Sequence, residues 1–264
     1  GMKIGFIGCG NMASAIMGGI LKQNVMTKEE VMASDVSEAA RRRAAETMGI
    51  SVYEDNCEMA SQADILVLAV KPFFMESVIG QIRGVVREET LIISIAAGKT
   101  VGWIEQQFQK PVKLVRTMPN TPALVGEGVT GICCNALVSE EEKQTVLKIF
   151  RSFGKAETMT ESMIDVVGAV SGSSPAYVFM FIEAMADAAV AEGMPRAMAY
   201  EFASQAVLGS AKMVLETGKH PGELKDMVCS PAGTTIEGVQ VLETKGMRSA
   251  VMEAIRACVS KTRM

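Results

Sequence analysis

Over roughly the first 158 residues, short apolar runs alternate with amphipathic stretches of helix length. This pattern predicts strands at Lys3 to Ile7, Val31 to Ser34, Ser51 to Tyr53, Ile65 to Val70, Leu91 to Ile95, Val112 to Arg116 and Gly128 to Cys134. The run Ile65-Leu66-Val67-Leu68-Ala69-Val70 has no polar alternation, as expected of a strand covered on both faces. Strands separated by helices imply a parallel sheet with helices on its faces. Thr100 and Ser139 stand where N-caps belong, and Glu140, Glu141 and Glu142 follow Ser139 in the first turn, where carboxylates complement the helix dipole.

From about residue 160 the strand signal stops and helical patterns take over. Pro175 suits the first position of a helix, and Tyr177 to Ile182 is apolar around the whole circumference. Further helices are predicted from Pro195 to Leu215, Pro221 to Val228, Thr235 to Glu243 and Met247 to Lys261. The expected fold class is therefore α/β: a doubly wound parallel sheet over residues 1–160, then an all-α domain over residues 161–264. A helical domain this apolar is expected to bury surface against another copy of the chain. Glu183 and Asp187, one helical turn apart, read as a wet stripe or as paired carboxylates.

The net charge of −4 and the lack of a dense basic block argue against a nucleic-acid or anionic-membrane partner. Arg41-Arg42-Arg43, the one basic cluster, reads as a solvated helix face. No apolar run is expected to reach the roughly 20 residues of a membrane span. Gly1 ahead of Met2 reads as an expression scar, and the immediate strand leaves no room for a signal peptide. Cys9, Cys57, Cys133, Cys134, Cys229 and Cys258 show no metal-binding spacing, and His220 is the sole histidine, so no metal site is expected. Scattered cysteines fit a reducing compartment, and the chain is expected to be cytoplasmic. The 20 methionines read as adaptable core filler.

The candidate chemistry begins at Gly8-Cys9-Gly10-Asn11-Met12-Ala13, entered directly from the first apolar run. A glycine turn between a strand and a helix lets backbone approach a pyrophosphate at the positive helix end. The next cofactor-reading position lies at the end of the second strand, where Asp35 can accept hydrogen bonds from ribose hydroxyls. A carboxylate there repels a 2′-phosphate and favours NADH over NADPH. Ser34 and Ser37 are alternative phosphate partners, while Arg41 to Arg43 sit far along the following helix. Ala69-Val70-Lys71-Pro72 and Ile95-Ala96-Ala97-Gly98 follow the fourth and fifth strands, placing both loops at the ligand-binding edge. Met118-Pro119-Asn120-Thr121-Pro122 forms a stiff loop that can hold Asn120 beside the cofactor. Further along, Ser230-Pro231-Ala232-Gly233-Thr234-Thr235-Ile236 turns straight into a helix. Thr234 or Thr235 either simply caps it or leaves its amides open to a small carboxylate.

Taken together, Ile4 to Ile16, Ala69 to Pro72, Ser94 to Gly98, Met118 to Pro122, Ser171 to Tyr177, His220 to Asp226 and Ser230 to Ile236 resemble the successive motifs of the pyrroline-5-carboxylate reductases. The resemblance spans nearly the whole chain. It implies reduction of the cyclic imine 1-pyrroline-5-carboxylate to L-proline by NADPH or NADH. It also implies a Rossmann-like N-terminal domain, a helical dimerisation domain, and dimers that assemble into decamers. By the same resemblance, Phe6, Ile7, Gly8, Cys9, Gly10, Asn11, Ala69, Val70, Lys71, Pro72, Ile95, Ala96 and Ala97 match the cofactor-contacting segments, and Met12, Ser34, Asp35, Asn56 and Asn120 complete the expected cofactor site. Gly233, Thr234 and Thr235 match the substrate loop. Two positions depart from the pattern: Ser174 replaces the second glycine of Gly-Ser-Gly-Pro, and Met227 replaces an Asn after Lys225-Asp226.

A carbonyl substrate needs a positioned proton donor, usually histidine, but His220 beside Pro221-Gly222 reads as a turn or helix-start residue. An imine nitrogen is basic enough to carry its own proton, so the demand on the protein reduces to orientation. Thr235 is the candidate catalytic residue, its hydroxyl contacting the ring nitrogen or the carboxylate. Two other functions fit the domain order: a 3-hydroxyacid or 6-phosphogluconate-type dehydrogenase, for which Lys212 is the available proton-relay lysine, and a non-catalytic nucleotide sensor.

Overall fold

The computed structural model describes all residues from Gly1 to Met264, which divide into two compact units. Unit 1 comprises Gly1–Gly172 with Val259–Met264, and unit 2 comprises Ser173–Cys258.

Unit 1 is built on eight strands: β1 Ile4–Ile7, β2 Val31–Ser34, β3 Ser51–Tyr53, β4 Ile65–Leu68, β5 Leu91–Ser94, β6 Lys113–Met118, β7 Gly128–Cys134 and β8 Gly154–Thr158. Their order across the sheet is β3-β2-β1-β4-β5-β6-β7-β8. The first six run parallel and reverse their order between β1 and β4. Such a reversal opens a crevice at the carboxyl edge. β7 lies antiparallel to β6, and β8 is parallel to β7, so the last two strands run against the rest. β8 lies outside the strands that the apolar pattern predicts. Ala156 is its only buried residue, and a strand with one apolar anchor carries no period-2 signal.

The helices of this unit are α1 Asn11–Lys22, α2 Glu38–Met48, α3 Asn56–Ala60, α4 Met75–Ile82, α5 Val101–Phe108, α6 Glu140–Arg151 and α7 Glu161–Val167. Caps fix their starts. The Thr100 hydroxyl accepts from the Trp103 amide at 3.0 Å, and Ser139 forms a reciprocal capping box with Glu142. Side chains along each inner strand alternate between two apolar layers. Ile65 and Val67 join Phe6, Ile16, Ile20 and Phe150 on one face of the sheet, whereas Leu66 and Leu68 join Met75, Ile79, Ile82 and Ile104 on the other.

A buried ion cluster secures α7. Arg116 on β6 is 2% exposed and lies 3.2 Å from Glu161 and 3.6 Å from Asp165. Glu161 also accepts from the Val101 amide at 2.7 Å. After α7 the chain forms a π-turn, Gly168–Ser173, and continues without a break into α8, Ser174–Ala191. Pro175 stands in the first turn of α8, at the second position and not the predicted first, although the π-turn runs directly into that helix. Its missing N–H is tolerated because the π-turn has already displaced the regular ladder. This run, Glu161–Ala191, is long and apolar enough by length and composition to cross a membrane, which corrects the expectation that no such stretch exists.

Unit 2 contains most of α8, together with α9 Arg196–Thr217, α10 Pro221–Val228, α11 Thr234–Thr244 and the greater part of α12 Met247–Thr262. Asp187 on α8 pairs with Arg196 on α9, while Glu183 is exposed, so the two carboxylates do not act as a buried pair. Phe179, Met180, Phe202 and Leu215 present large apolar side chains to the surface of α8 and α9.

Candidate functional site

At the end of β1 the chain enters Gly8 at φ +107°, a region that side chains other than glycine rarely adopt. A Cβ at Gly8 would stand 2.6 Å from the Ala69 carbonyl oxygen of the loop after β4. Glycine thus allows two strand ends to approach at the switch point. Gly10 is different, because a Cβ there would meet nothing within 4 Å and would project into open space. Gly10 is also the N-cap of α1 and offers no side chain to the helix amides. The amides of Asn11 and Met12 are consequently open to an anion at the positive end of the dipole.

Beside this turn lies a cavity of about 510 Å³. Ile7, Gly8, Gly10, Ser34, Asp35, Asn56, Ala69, Val70 and Lys71 line it, so the glycine turn, the end of β2 and the loop after β4 come together as the sequence predicts. A polar row crosses the cavity wall. The Ser34 hydroxyl donates to Asn56 Oδ1 at 2.7 Å, and Asn56 Nδ2 donates to Gln81 Oε1 at 3.0 Å.

Asp35 stands at the rim with its carboxylate fixed by two backbone donors, the Cys9 amide at 2.9 Å and the Ser37 amide at 2.8 Å. Arg41 does not lie out of reach along the helix. Its Nη1 folds back to the Asp35 carbonyl at 2.8 Å and the Val36 carbonyl at 3.2 Å, because residue 41 begins the second turn of α2 on the side facing the β2 end. The cavity rim therefore carries one carboxylate and one guanidinium. Burial and then the Asp35 charge push the Cys9 thiol up to about 11, against the pull of Arg41 and Arg43, so this cysteine stays a neutral packing group.

Other predicted positions lie outside this cavity. Phe6 is fully buried in the sheet core and supports the turn from below. Met12 packs on the same core, and Pro72 opens a 3-10 turn, Pro72–Phe74, that stiffens the loop after β4. Ile95 and Ala96 are tucked at the end of β5, with the Ala96 amide bonded to Ser94 Oγ at 3.2 Å, whereas Ala97 is exposed. Asn120 is nearly buried, and its amide is spent on protein groups. Nδ2 donates to the Ser171 carbonyl at 3.0 Å, and Oδ1 accepts from the Val129 amide at 2.8 Å. It fastens the π-turn to the loop after β6 and has no free face for a cofactor.

Five residues of the cavity are absent from the sequence-based set: Val36 after β2 and, around α4, Phe74, Ser77, Val78 and Gln81. The signal for those around α4 was the aromatic pair immediately after Lys71-Pro72, with Ser77 and Gln81 one helical turn apart on α4.

In unit 2, α11 begins at Thr234, with Gly233 as N-cap and no side-chain cap. Neither Thr234 nor Thr235 is therefore the capping residue; both occupy the exposed first turn. Gly233 suits the bend because a Cβ there would meet Ser230 Oγ at 2.5 Å. Ala232 precedes it at φ +60°, a strained conformation for alanine. The start of α11 thus presents uncapped amides, the positive end of the helix dipole and two exposed hydroxyls. His220 is the N-cap of α10, its Nδ1 accepting from the Gly222 amide at 2.9 Å, so the sole histidine is a helix-start residue. Lys212 lies exposed on α9, 3.7 Å from Glu216. Met227 is exposed, and Ser174 follows directly on the π-turn.

The reversed strand order, the open glycine turn and the adjoining cavity define a dinucleotide-binding domain of the oxidoreductase type. Residues 3–98 match the family model described as NADP oxidoreductase coenzyme F420-dependent, and residues 161–264 match that described as pyrroline-5-carboxylate reductase dimerisation. The chain is 54% identical over 260 residues to the pyrroline-5-carboxylate reductase of Escherichia coli K12, covering 98% of this chain and 97% of that one. Among solved structures it superposes on a pyrroline-5-carboxylate reductase from Coxiella burnetii with a TM-score of 0.93 at 34% identity, covering 99% and 97% of the two chains. A Plasmodium falciparum pyrroline carboxylate reductase with NADP bound gives a TM-score of 0.90 at 35% identity, covering 99% and 98%. The chain belongs to the pyrroline-5-carboxylate reductase family. It is an NAD(P)-dependent oxidoreductase that acts on a carbon–nitrogen double bond.

Proposed function

We propose that this chain reduces 1-pyrroline-5-carboxylate to L-proline, the last step of proline biosynthesis, with NADH preferred over NADPH. The observation that carries the cofactor half is the open cradle at Gly10, whose missing side chain leaves room for a pyrophosphate against the uncapped start of α1. When bound, the dinucleotide supplies the hydride. Gly8 to Met12 hold its phosphates, Ser34, Asp35 and Asn56 hold the adenosine side, and Ala69 to Pro72 with Ile95 to Ala97 frame the nicotinamide side. The Asp35 carboxylate, held in place by two amides, supports the NADH preference because it opposes a 2′-phosphate. The nearby Arg41 guanidinium already spends two contacts on backbone carbonyls.

The substrate half rests on the first turn of α11. Gly233, Thr234 and Thr235 receive the substrate carboxylate on open amides, and the Thr235 hydroxyl orients the ring by bonding its nitrogen or its carboxylate. The protein then holds the imine carbon in line and lends no proton of its own, which agrees with a histidine committed to capping α10. Residues 161–264 serve dimerisation and substrate binding, with residues 1–160 as the dinucleotide-binding domain. The apolar surfaces of α8 and α9 favour pairing of copies, and dimers assemble further into decamers in the cytoplasm.

The test is to follow NADH and NADPH absorbance with pyrroline-5-carboxylate, and then with hydroxyacids plus NAD or NADP. Oxidation with the imine, and a higher kcat/KM for NADH, is the expected result. Turnover of hydroxyacids, or a higher kcat/KM for NADPH, would overturn the corresponding part.

A further inference from the structure

Phe74 is 51% exposed although it lines the cavity, and Val36, on the opposite rim after β2, is 86% exposed. No protein element covers either group. The Phe74 backbone is nonetheless held in place. Phe74 ends the Pro72–Phe74 3-10 turn, its amide donates to the Lys71 carbonyl at 2.9 Å, and Phe73 packs edge-on against its ring at 5.3 Å between centroids with an 85° interplanar angle. A rigid aromatic ring on the wall of a cavity, with its outer face bare, is suited to stack a flat partner. Below it, Ser77, Val78 and Gln81 continue the same wall along α4, whose other side is anchored in the core by Met75, Ile79 and Ile82.

We infer that Phe74 is the stacking platform for the adenine base of the dinucleotide and sets the affinity of this chain for adenine-containing cofactors. The inference rests on the cofactor role assigned to the cavity above. The cavity is polar at the glycine turn and along Ser34, Asn56 and Gln81, and apolar between Val36 and Phe74, so a single ligand must bring phosphate to one end and a flat apolar face to the other. Of the parts of a dinucleotide, adenine has the aromatic faces for the second end, and Asp35 between them fits the intervening ribose.

The experiment measures calorimetric binding of ADP-ribose and NADH to the full chain and to its Phe74→Ala and Phe74→Tyr variants. It also compares kcat/KM for NADH with that for reduced nicotinamide mononucleotide, which has no adenine. Phe74→Ala should weaken ADP-ribose and NADH binding by at least about fivefold, and Phe74→Tyr should restore it. The difference between wild type and Phe74→Ala should vanish with the mononucleotide. Unchanged ADP-ribose affinity in Phe74→Ala, or an equal loss with the mononucleotide, overturns the assignment. If wild type binds ADP-ribose but does not reduce the imine, the proposed reaction fails while the platform still stands or falls on the binding data.

Discussion

The Cys9 amide donates to the Asp35 carboxylate at 2.9 Å, tying the glycine turn after β1 to the end of β2. The same carboxylate also accepts from the amide of Ser37, the N-cap of α2. Asp35 thus shapes the turn as well as setting the charge at the rim. Asp35→Ser should raise the NADPH to NADH ratio of kcat/KM by about tenfold, on the order of 1.4 kcal/mol, because the like-charge repulsion of a 2′-phosphate is gone and Arg41 remains. Steady-state kinetics with both cofactors decide this, and an unchanged ratio would remove Asp35 as the discriminator.

Gly8→Ala should abolish measurable cofactor binding. The added Cβ meets the Ala69 carbonyl oxygen at 2.6 Å in a backbone conformation that alanine avoids, and both residues directly follow the paired strands β1 and β4. Gly10→Ala should leave the fold intact, since its Cβ enters open space, and weaken only the dinucleotide. Thermal unfolding read alongside NADH titration separates the two: a Gly10→Ala enzyme with wild-type affinity would rule out the cradle.

Thr235→Ala should lower kcat/KM for the imine by roughly 5- to 150-fold, the cost of about 1 to 3 kcal/mol for one lost hydrogen bond. The dissociation constant for NADH should stay the same. Because Thr235 is exposed and does not cap α11, its replacement carries little folding penalty. Wild-type kinetics in this variant would exclude the threonine from the reaction.

Asp64 links the start of β1 to Arg87. Burial pushes its carboxyl up, but the Lys3 amide at 2.8 Å and the Arg87 guanidinium at 3.0 Å together hold it below the usual range. A carboxyl whose pKa is lower in the folded state stabilises above its unfolded value, near about 3.9, and that contribution fades as pH falls through the folded value. Asp64→Asn should therefore cost stability at pH 7, by less than about 1 kcal/mol given the solvent exposure of both partners. The gap between the two melting curves should close below about pH 4. A gap that persists unchanged at low pH would show that packing, not charge, dominates there.

Paired substitutions Phe202→Glu and Leu215→Glu on α9 should shift the protein towards smaller species in light scattering coupled to size exclusion. Both side chains are exposed at present, so a solvated surface would tolerate the change without effect. An unaltered mass would place the subunit contact elsewhere.

Much of the sheet is legible in the sequence because buried parallel strands such as Ile65 to Leu68 carry unbroken apolar runs between turn signals. The glycine turn and the caps at Thr100 and Ser139 are local features, so sequence shows them directly. What escapes is set by distant contacts. β8 has a single buried side chain, and the π-turn is stabilised by Asn120, some fifty residues earlier in the chain. Asn120 itself has the residue type of a ligand, but its amide is satisfied by Ser171 and Val129, which no local pattern reveals. Arg41 similarly gains its place by a side chain folding back against the chain direction.

The reversed direction of β7 and β8 decides where the chain leaves unit 1. Both strands run away from the carboxyl edge of β1 to β6, but β8 starts beyond that edge and is short, so Thr158 pairs with Ile132 and stands level with Thr117, still near the carboxyl end of β6. α7 starts on that same side of the sheet, where Glu161 accepts from the Val101 amide at the head of α5 and pairs with Arg116, and the π-turn follows next to Met118 and Asn120. A short, staggered backward strand thus leaves the exit of unit 1 on the rim of the sheet that also carries the glycine turn.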